Sequence, residues 1–263
     1  MNYQSTFIES EQAFANIYFK LLLEAEPISP RGSPTYEIEN FTYTLNPRIR
    51  FTNFPSRKLS LAYIKREWQW YLNADPTDTR IAKYAKIWGP MIKDGIINSN
   101  YGAYWFKGQY GVKEVVQELE QDPNSRRAVI PMLGVSQRHY DKDIVDKPCT
   151  TSIEFRIRHG RLHTHVVMRS QDAVFGLGND VPAFSFLSEV VALLLNQPLG
   201  YLTITVGSFH YYERHKDMLS SIVSEVSQPI LVPQMTIGDA EAALEHCVNG
   251  GTEFGRWITE VEL

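Results

Sequence analysis

Between Thr151 and Met168 the chain alternates apolar and polar residues with period two, and a His159-Gly160 pair interrupts the alternation. Ile153, Phe155 and Ile157 precede the pair; Leu162, Thr164, Val166 and Met168 follow it. Successive strand residues point to opposite faces, so this pattern predicts a β-hairpin with one buried face. The stretch Val181 to Leu195 is long and apolar, including Leu187, Val190, Val191, Leu194 and Leu195, and reads as a buried helix. Tyr201 to Val206 reads as a β-branched strand after it. Earlier, Leu61, Ile64, Trp68 and Tyr71/Leu72 recur at helical spacing, as do Val112, Val115/Val116 and Leu119. The second of these amphipathic helices should stop at Asp122-Pro123, because proline has no N–H and disfavours helix in the residue before it. Interspersed strands and helices without βαβ regularity predict an α+β fold around a large mixed sheet flanked by helices.

Composition narrows the function classes. With 263 residues, no repeat and no low-complexity linker, residues 1–263 are expected to form one domain. Lys and Arg number 26 against 30 Asp and Glu, a net charge of −4, which lacks the basic excess of a binder of polymeric nucleic acid. An anion held here should be small. The most conspicuous uninterrupted apolar run, Val190 to Leu195, is far short of the roughly 20 residues a membrane span needs. The first twenty residues carry Glu9, Glu11 and Lys20 with no secretory pattern, so a cytoplasmic setting is expected. Cys149 and Cys247 are too few for a disulfide scaffold, no Cys/His cluster has zinc spacing, and both thiols are expected to be reduced, with no metal.

Several residues could do chemistry. Cys149 follows Pro148 at a loop-to-strand junction; it is either a small buried hydrophobe or a nucleophile whose thiolate nearby cations favour. Arg31, Arg126, Arg127 and Arg169 are each surface charges unless they converge, in which case their guanidinium forks match a phosphate dianion. Asp180, just ahead of Pro182, is either a helix N-cap or a functional carboxyl. Glu67 lies beside the aromatic face of its helix, where burial raises a carboxyl pKa toward the range of general acid/base work.

The order Glu67, Arg126-Arg127, Pro148-Cys149, Arg169-Ser170-x-Asp172 and Gly207-Ser208-Phe209-His210-Tyr211-Tyr212-x-x-His215 resembles the thymidylate synthase superfamily from about residue 20 to 220. Within it, thymidylate synthases carry Asn where this chain has Asp180. Asn suits uracil, whereas a protonated carboxyl, or a carboxylate facing a protonated base, complements cytosine. Ser99-Asn100-Tyr101-Gly102, Asn124-Ser125-Arg126-Arg127, Cys149-Thr150, Met168-Arg169-Ser170, Phe175-Gly176, Asn179-Asp180 and Val206-Gly207-Ser208 look closer to the deoxycytidylate hydroxymethylases. Thr150 and Ser208 depart from the His and Asp usual in the synthases, and the segment after about residue 225 does not resemble their closing tail.

The resemblance implies a thymidylate-synthase-like fold whose sheets stack at a homodimer interface, with 5,10-methylenetetrahydrofolate as one-carbon donor. Cys149 would add to carbon 6 of a cytosine nucleotide, Asp180 would bind N3 and the exocyclic amine, and Glu67 would order water and move protons. Arg31, Arg169 and Ser170 would hold the 5′-phosphate, with Arg126 and Arg127 reaching it from the second subunit. His210 and Tyr212 would meet the sugar 3′-hydroxyl, and Trp88, Asp172 and Gly176 would face the folate. A synthase acting on deoxyuridylate is the neighbouring expectation; a Cys/His hydrolase using His210 or His215 would leave the arginines without a task. A binding module that retains the fold is a further alternative.

Overall fold

The computed structural model describes residues 4–246 and 251–260, so Cys247 lies outside the described residues. Seven strands form one mixed sheet: β1 (Gln4–Ile8), β2 (Glu26–Ile28), β3 (Thr35–Leu45), β4 (Val129–Pro131), β5 (Thr150–Arg158), β6 (Arg161–Asp172) and β7 (Leu199–Tyr212). Their order is β1-β3-β7-β6-β5-β4, with β2 paired to β3. The expected hairpin is β5-β6. His159 and Gly160 both have positive φ (52° and 66°), the geometry whose twist matches that of the flanking strands. The two central strands β6 and β7 run parallel, joined by the long apolar helix α5.

Around the sheet lie α1 (Ala13–Glu24), α2 (Leu61–Asn73), α3 (Gly102–Trp105), α4 (Val112–Gln121), α5 (Gly176–Leu194), α6 (Lys216–Ile222), α7 (Ile237–Leu244) and α8 (Glu253–Thr259). α2 and α4 match the two amphipathic stretches, and Asp122 caps α4 in an extended conformation before Pro123. Helix α5 begins at Gly176, five residues ahead of the expected Val181. Asp180 therefore sits inside the helix rather than at its N-cap, which is Phe175; the capping expectation is corrected. Proline at position 182 is the seventh residue of α5, where it forgoes one intrahelical N–H bond, yet the helix runs on to Leu194. α5 is long and apolar enough to cross a membrane, yet 78% of that stretch is buried inside the fold, where it covers β6 and β7. It is a core helix.

One feature of the sheet shapes everything near the site. In β6 the helix-facing residues are Leu162, Thr164, Val166 and Met168, but the next buried one is Gln171. In β7 the series Leu202, Ile204, Val206 continues at Phe209, and in β3 the series Leu45, Tyr43, Phe41 continues at Ile38. Arg169, Gly207 and Asn40 drop out of the strand ladders at that level, Asn40 with φ of 54°. The line of irregularity ends in β5 as a register shift between Thr150 and Ser152. A side chain at Gly207 would put its Cβ 2.9 Å from the Arg169 carbonyl oxygen, so the close approach of β6 and β7 needs glycine there. Beyond this line the parity of β3, β6 and β7 is inverted.

Candidate active site

Cys149 is half-buried at the end of a loop, one residue before β5. Its carbonyl accepts from Arg169 N–H (2.8 Å), which fixes the loop to the end of the regular part of β6. The sequence suggested that arginines would lower the thiol pKa. Instead burial pushes it up; Arg169 and a hydrogen bond with Ser170 oppose that, while Asp180 and Asp146 add to it. The resting group is thus a thiol. Arg169 Nε and Nη2 donate to the carbonyls of Pro148 (3.1 Å) and Lys147 (2.8 Å), so the guanidinium clamps the Cys149 loop and lies exposed beside it. Asp146 braces the same loop from below by accepting from Ser99 N–H (2.9 Å) and the Ser99 hydroxyl.

Asp180 acts on this thiol and, through its own charge, on a second buried carboxyl, Glu67. Asp180, projecting from the first turns of α5, has its pKa raised to about 7; desolvation dominates, a hydrogen bond from Gln171 opposes it and Asp172 adds to it. Gln171 Nε2 donates to Asp180 Oδ2 (3.0 Å), and Tyr43 in β3 donates to Gln171 Oε1 (3.0 Å). Glu67 in α2 is 6% exposed and raised to about 8, by desolvation first and Asp180 second. Tyr63, one turn earlier, donates to Glu67 Oε1 (2.9 Å) and accepts from Trp88 Nε1 (2.8 Å). Trp88 packs on Trp70, whose own indole donates to the Asp78 carbonyl (2.8 Å). The aromatic rings Tyr71, Tyr101 and Trp105 form the wall behind these carboxyls. Sequence reasoning missed Gln171 and Tyr63. The helical spacing of Tyr63 and Glu67 was the available signal for the second, and the inverted strand parity hid the first.

The remaining candidates divide. Ser170 and Ser208 pair across β6 and β7, as do Asp172 and His210. His210 is buried, with Nδ1 3.1 Å from the Ser208 carbonyl, and Tyr212 packs edge-on against it. The Ser208 hydroxyl donates to Glu37 of β3. Arg31, at φ of 52° in a tight turn, and Arg126 and Arg127, just before β4, are exposed. Arg127 is paired with Glu118 at 3.0 Å. Of these arginines and Arg169, it is Arg169 whose charge acts on the Cys149 thiol.

Aromatic and polar groups lie near Asp172 and Gly176. Trp88 is half-buried and Phe175 is 42% exposed. Gly176 lies between two carboxyls: a Cβ there would be 3.4 Å from Asp172 Cβ and 3.5 Å from Asp180 Oδ2. Arg57 Nε and His215 Nδ1 are buried without a partner among the described residues, and both side chains feel the Asp172 charge. Aromatic surface and unpartnered polar atoms of this kind would suit a folate, were one held here.

A cysteine clamped by an arginine and acted on by Asp180, which in turn acts on Glu67, makes a candidate nucleophilic site. The thymidylate synthase family model matches residues 15–248, and the chain belongs to that family, whose members are folate-dependent one-carbon transferases acting on nucleoside monophosphates. The chain is 34% identical over 166 residues to the deoxycytidylate 5-hydroxymethyltransferase of Enterobacteria phage T4, covering 58% of this chain and 68% of that protein. It is 25% identical over 228 residues to the thymidylate synthase of Buchnera aphidicola subsp. Baizongia pistaciae, covering 83% of this chain and 84% of that protein. The thymidylate synthase of Francisella tularensis subsp. holarctica is 26% identical over 226 residues, or 78% and 80%.

Proposed function

We propose that this enzyme adds a one-carbon unit to carbon 5 of a cytosine nucleoside 5′-monophosphate and completes it with water as a hydroxymethyl group. The observation that carries the reading is Asp180: a carboxyl whose proton is held up to about 7, within electrostatic reach of both Cys149 and Glu67. A neutral carboxyl offers one donor and one acceptor side by side. Cytosine presents an acceptor at N3 and a donor at its amine, so the two edges are complementary. The likeness to the phage hydroxymethyltransferase supports the same reading.

Cys149 attacks carbon 6 as a thiolate, its proton passing to solvent and the Arg169 charge beside it favouring the anion. Asp180 holds the base edge where negative charge develops on addition. 5,10-Methylenetetrahydrofolate, when bound, supplies the one-carbon unit at the formaldehyde oxidation level. Glu67, steered by Tyr63, delivers and orients the water. One water is consumed and tetrahydrofolate leaves unoxidised, so the balance needs no reductant. Trp88, Asp172 and Gly176 line the folate side, and His210 and Tyr212 take the 3′-hydroxyl. Arg31, Arg169 and Ser170 hold the phosphate, joined by Arg126 and Arg127 from a second copy stacked on the half-exposed sheet face of Thr42, Thr44, His165, Thr203 and Thr205. The reading takes residues 1–263 as one thymidylate-synthase-like domain, supported by one contiguous core cluster among the described residues.

The second reading is methylation of deoxyuridylate, favoured by the greater share of the chain that aligns with the bacterial synthases. Mass spectrometry after incubation with methylenetetrahydrofolate and the uridine and cytidine monophosphates, each in ribo and deoxy form, separates the two. A mass gain of one formaldehyde unit on a cytosine nucleotide with no dihydrofolate absorbance is the expected result; a methyl gain on deoxyuridylate overturns it. Asp180→Asn should lower turnover of the cytosine nucleotide by roughly 10²-fold or more, because a buried polar edge is left mismatched, and should give uracil-nucleotide turnover.

A further inference from the structure

We propose that Gln171 is the positioning residue that makes Asp180 select cytosine: anchored by Tyr43, its amide dictates which carboxyl oxygen accepts and which carries the proton. The inference rests on the reading of Asp180 given above. It starts from the polarity of a three-group chain. Tyr43 is fully buried and Gln171 is 2% exposed. The tyrosine O–H donates to Oε1 and Nε2 donates to Asp180 Oδ2, both at 3.0 Å. In the orientation seen the amide N–H is aimed at Asp180; the flipped amide would aim its oxygen there and would need Asp180 protonated on Oδ2, so the sense of the amide and the position of the proton are tied together.

That tie matters because a neutral carboxyl has two proton positions. With the proton on Oδ1, Oδ1–H donates to the bare N3 of cytosine and Oδ2 accepts from its amine. With the proton on Oδ2, the same side chain donates to the carbonyl at carbon 4 of uracil and accepts from its N3–H. An acidic residue alone therefore fits either base. The Gln171 N–H already directed at Oδ2 makes that oxygen the acceptor and holds the proton on Oδ1, leaving only the cytosine pattern. Groups facing Asp180 from the neighbouring elements are Asp172, Glu67, Cys149 and the tyrosines Tyr43, Tyr63, Tyr71 and Tyr101. None of these is a cation able to set the proton in place of Gln171.

The test compares wild type with Gln171→Leu, Tyr43→Phe and Asp180→Asn. Calorimetric affinities for cytosine and uracil nucleotides without folate are measured beside turnover from pH 5.5 to 9. Gln171→Leu should reduce the cytosine-over-uracil preference roughly tenfold or more, and Tyr43→Phe should reduce it by a smaller factor in the same direction. Removing the Gln171 N–H also removes a bond that favours the ionised acid, so the falling high-pH limb for the cytosine nucleotide should move to higher pH in Gln171→Leu. A packing defect alone would lower both substrates together and leave that limb in place. Unchanged preference and an unmoved limb in a folded Gln171→Leu protein overturn the proposal. If that variant does not fold, an unchanged preference in Tyr43→Phe overturns it. Asp180→Asn separates the levels: if it leaves the preference intact, the reading of Asp180 fails, whereas if it alone switches the base, only the role of Gln171 falls.

Discussion

Glu67 shows how a single side chain couples stability to chemistry. Its carboxyl is buried by the aromatic face of its own helix and raised from 4.5 to about 8. Between those values the folded chain keeps a proton that the unfolded chain has released. Stability contributed by this group is therefore greatest at low pH and declines as pH climbs from about 4.5 to about 8. Glu67→Gln keeps an acceptor for Tyr63 but does not ionise. Its Tm should exceed that of wild type at pH 8, at about 2–4 °C per kcal/mol relieved, with the difference shrinking toward pH 5. Scanning calorimetry at the two pH values decides it; an equal difference at both would mean that ionisation of Glu67 is not the cause. The sequence announced the environment of this residue, because Trp68, Trp70 and Tyr71 are its immediate neighbours. Local spacing gave no sign of Asp180 acting on it from some hundred residues away in the chain; the family resemblance alone put the two in one site.

At the scale of elements, helix α5 positions Asp180 and is itself tied down at its far end. Glu189 pairs with Arg50 at 3.0 Å, with side chains 5% and 7% exposed, and accepts from Met235 N–H at 3.3 Å. Arg50 also lies over the Phe186 ring, 4.8 Å from its centroid. Removing one partner strands the other charge in the core, so Glu189→Ala should cost roughly 3–5 kcal/mol. Arg50→Met with Glu189→Leu should recover most of that loss, because an apolar pair of similar volume needs no compensation. Urea denaturation of the single and double variants measures both; a double variant as unstable as the single would show that packing rather than charge holds α5. The helix itself was legible from its apolar run. Its first five residues were not, since Gly176, Gly178 and Asn179 read as loop until Thr52 and Arg57 are seen packed against Gly178.

The whole molecule raises the question of where the missing phosphate arginines come from. Arg126 and Arg127 are exposed, and the proposed reading takes them from a second copy. Cys149→Ser and the double variant Arg126→Ala with Arg127→Ala should each be inactive. Refolded together in equal amounts, they should regain about a quarter of the wild-type sites, because half the dimers are mixed and each mixed dimer rebuilds one complete site. No recovery, in a mixture that sedimentation shows to be dimeric, would place those arginines in their own chain's site or in none.

The amino-acid sequence determined the α+β class, the β5-β6 hairpin, helices α2 and α4 and the apolar helix crossing the sheet. Each is written in short-range periodicity and local breakers, which depend only on neighbours along the chain. The tertiary structure alone decided the parity of the strands beyond Met168. Read forward from Leu162, Thr164, Val166 and Met168, the alternation sends Ser170 toward the helices and Gln171 away. The irregularity shared by Asn40, Gly207 and Arg169 reverses that and turns Gln171 toward Asp180. Such a reversal arises from strands accommodating one another laterally, a constraint that no stretch of a single strand contains.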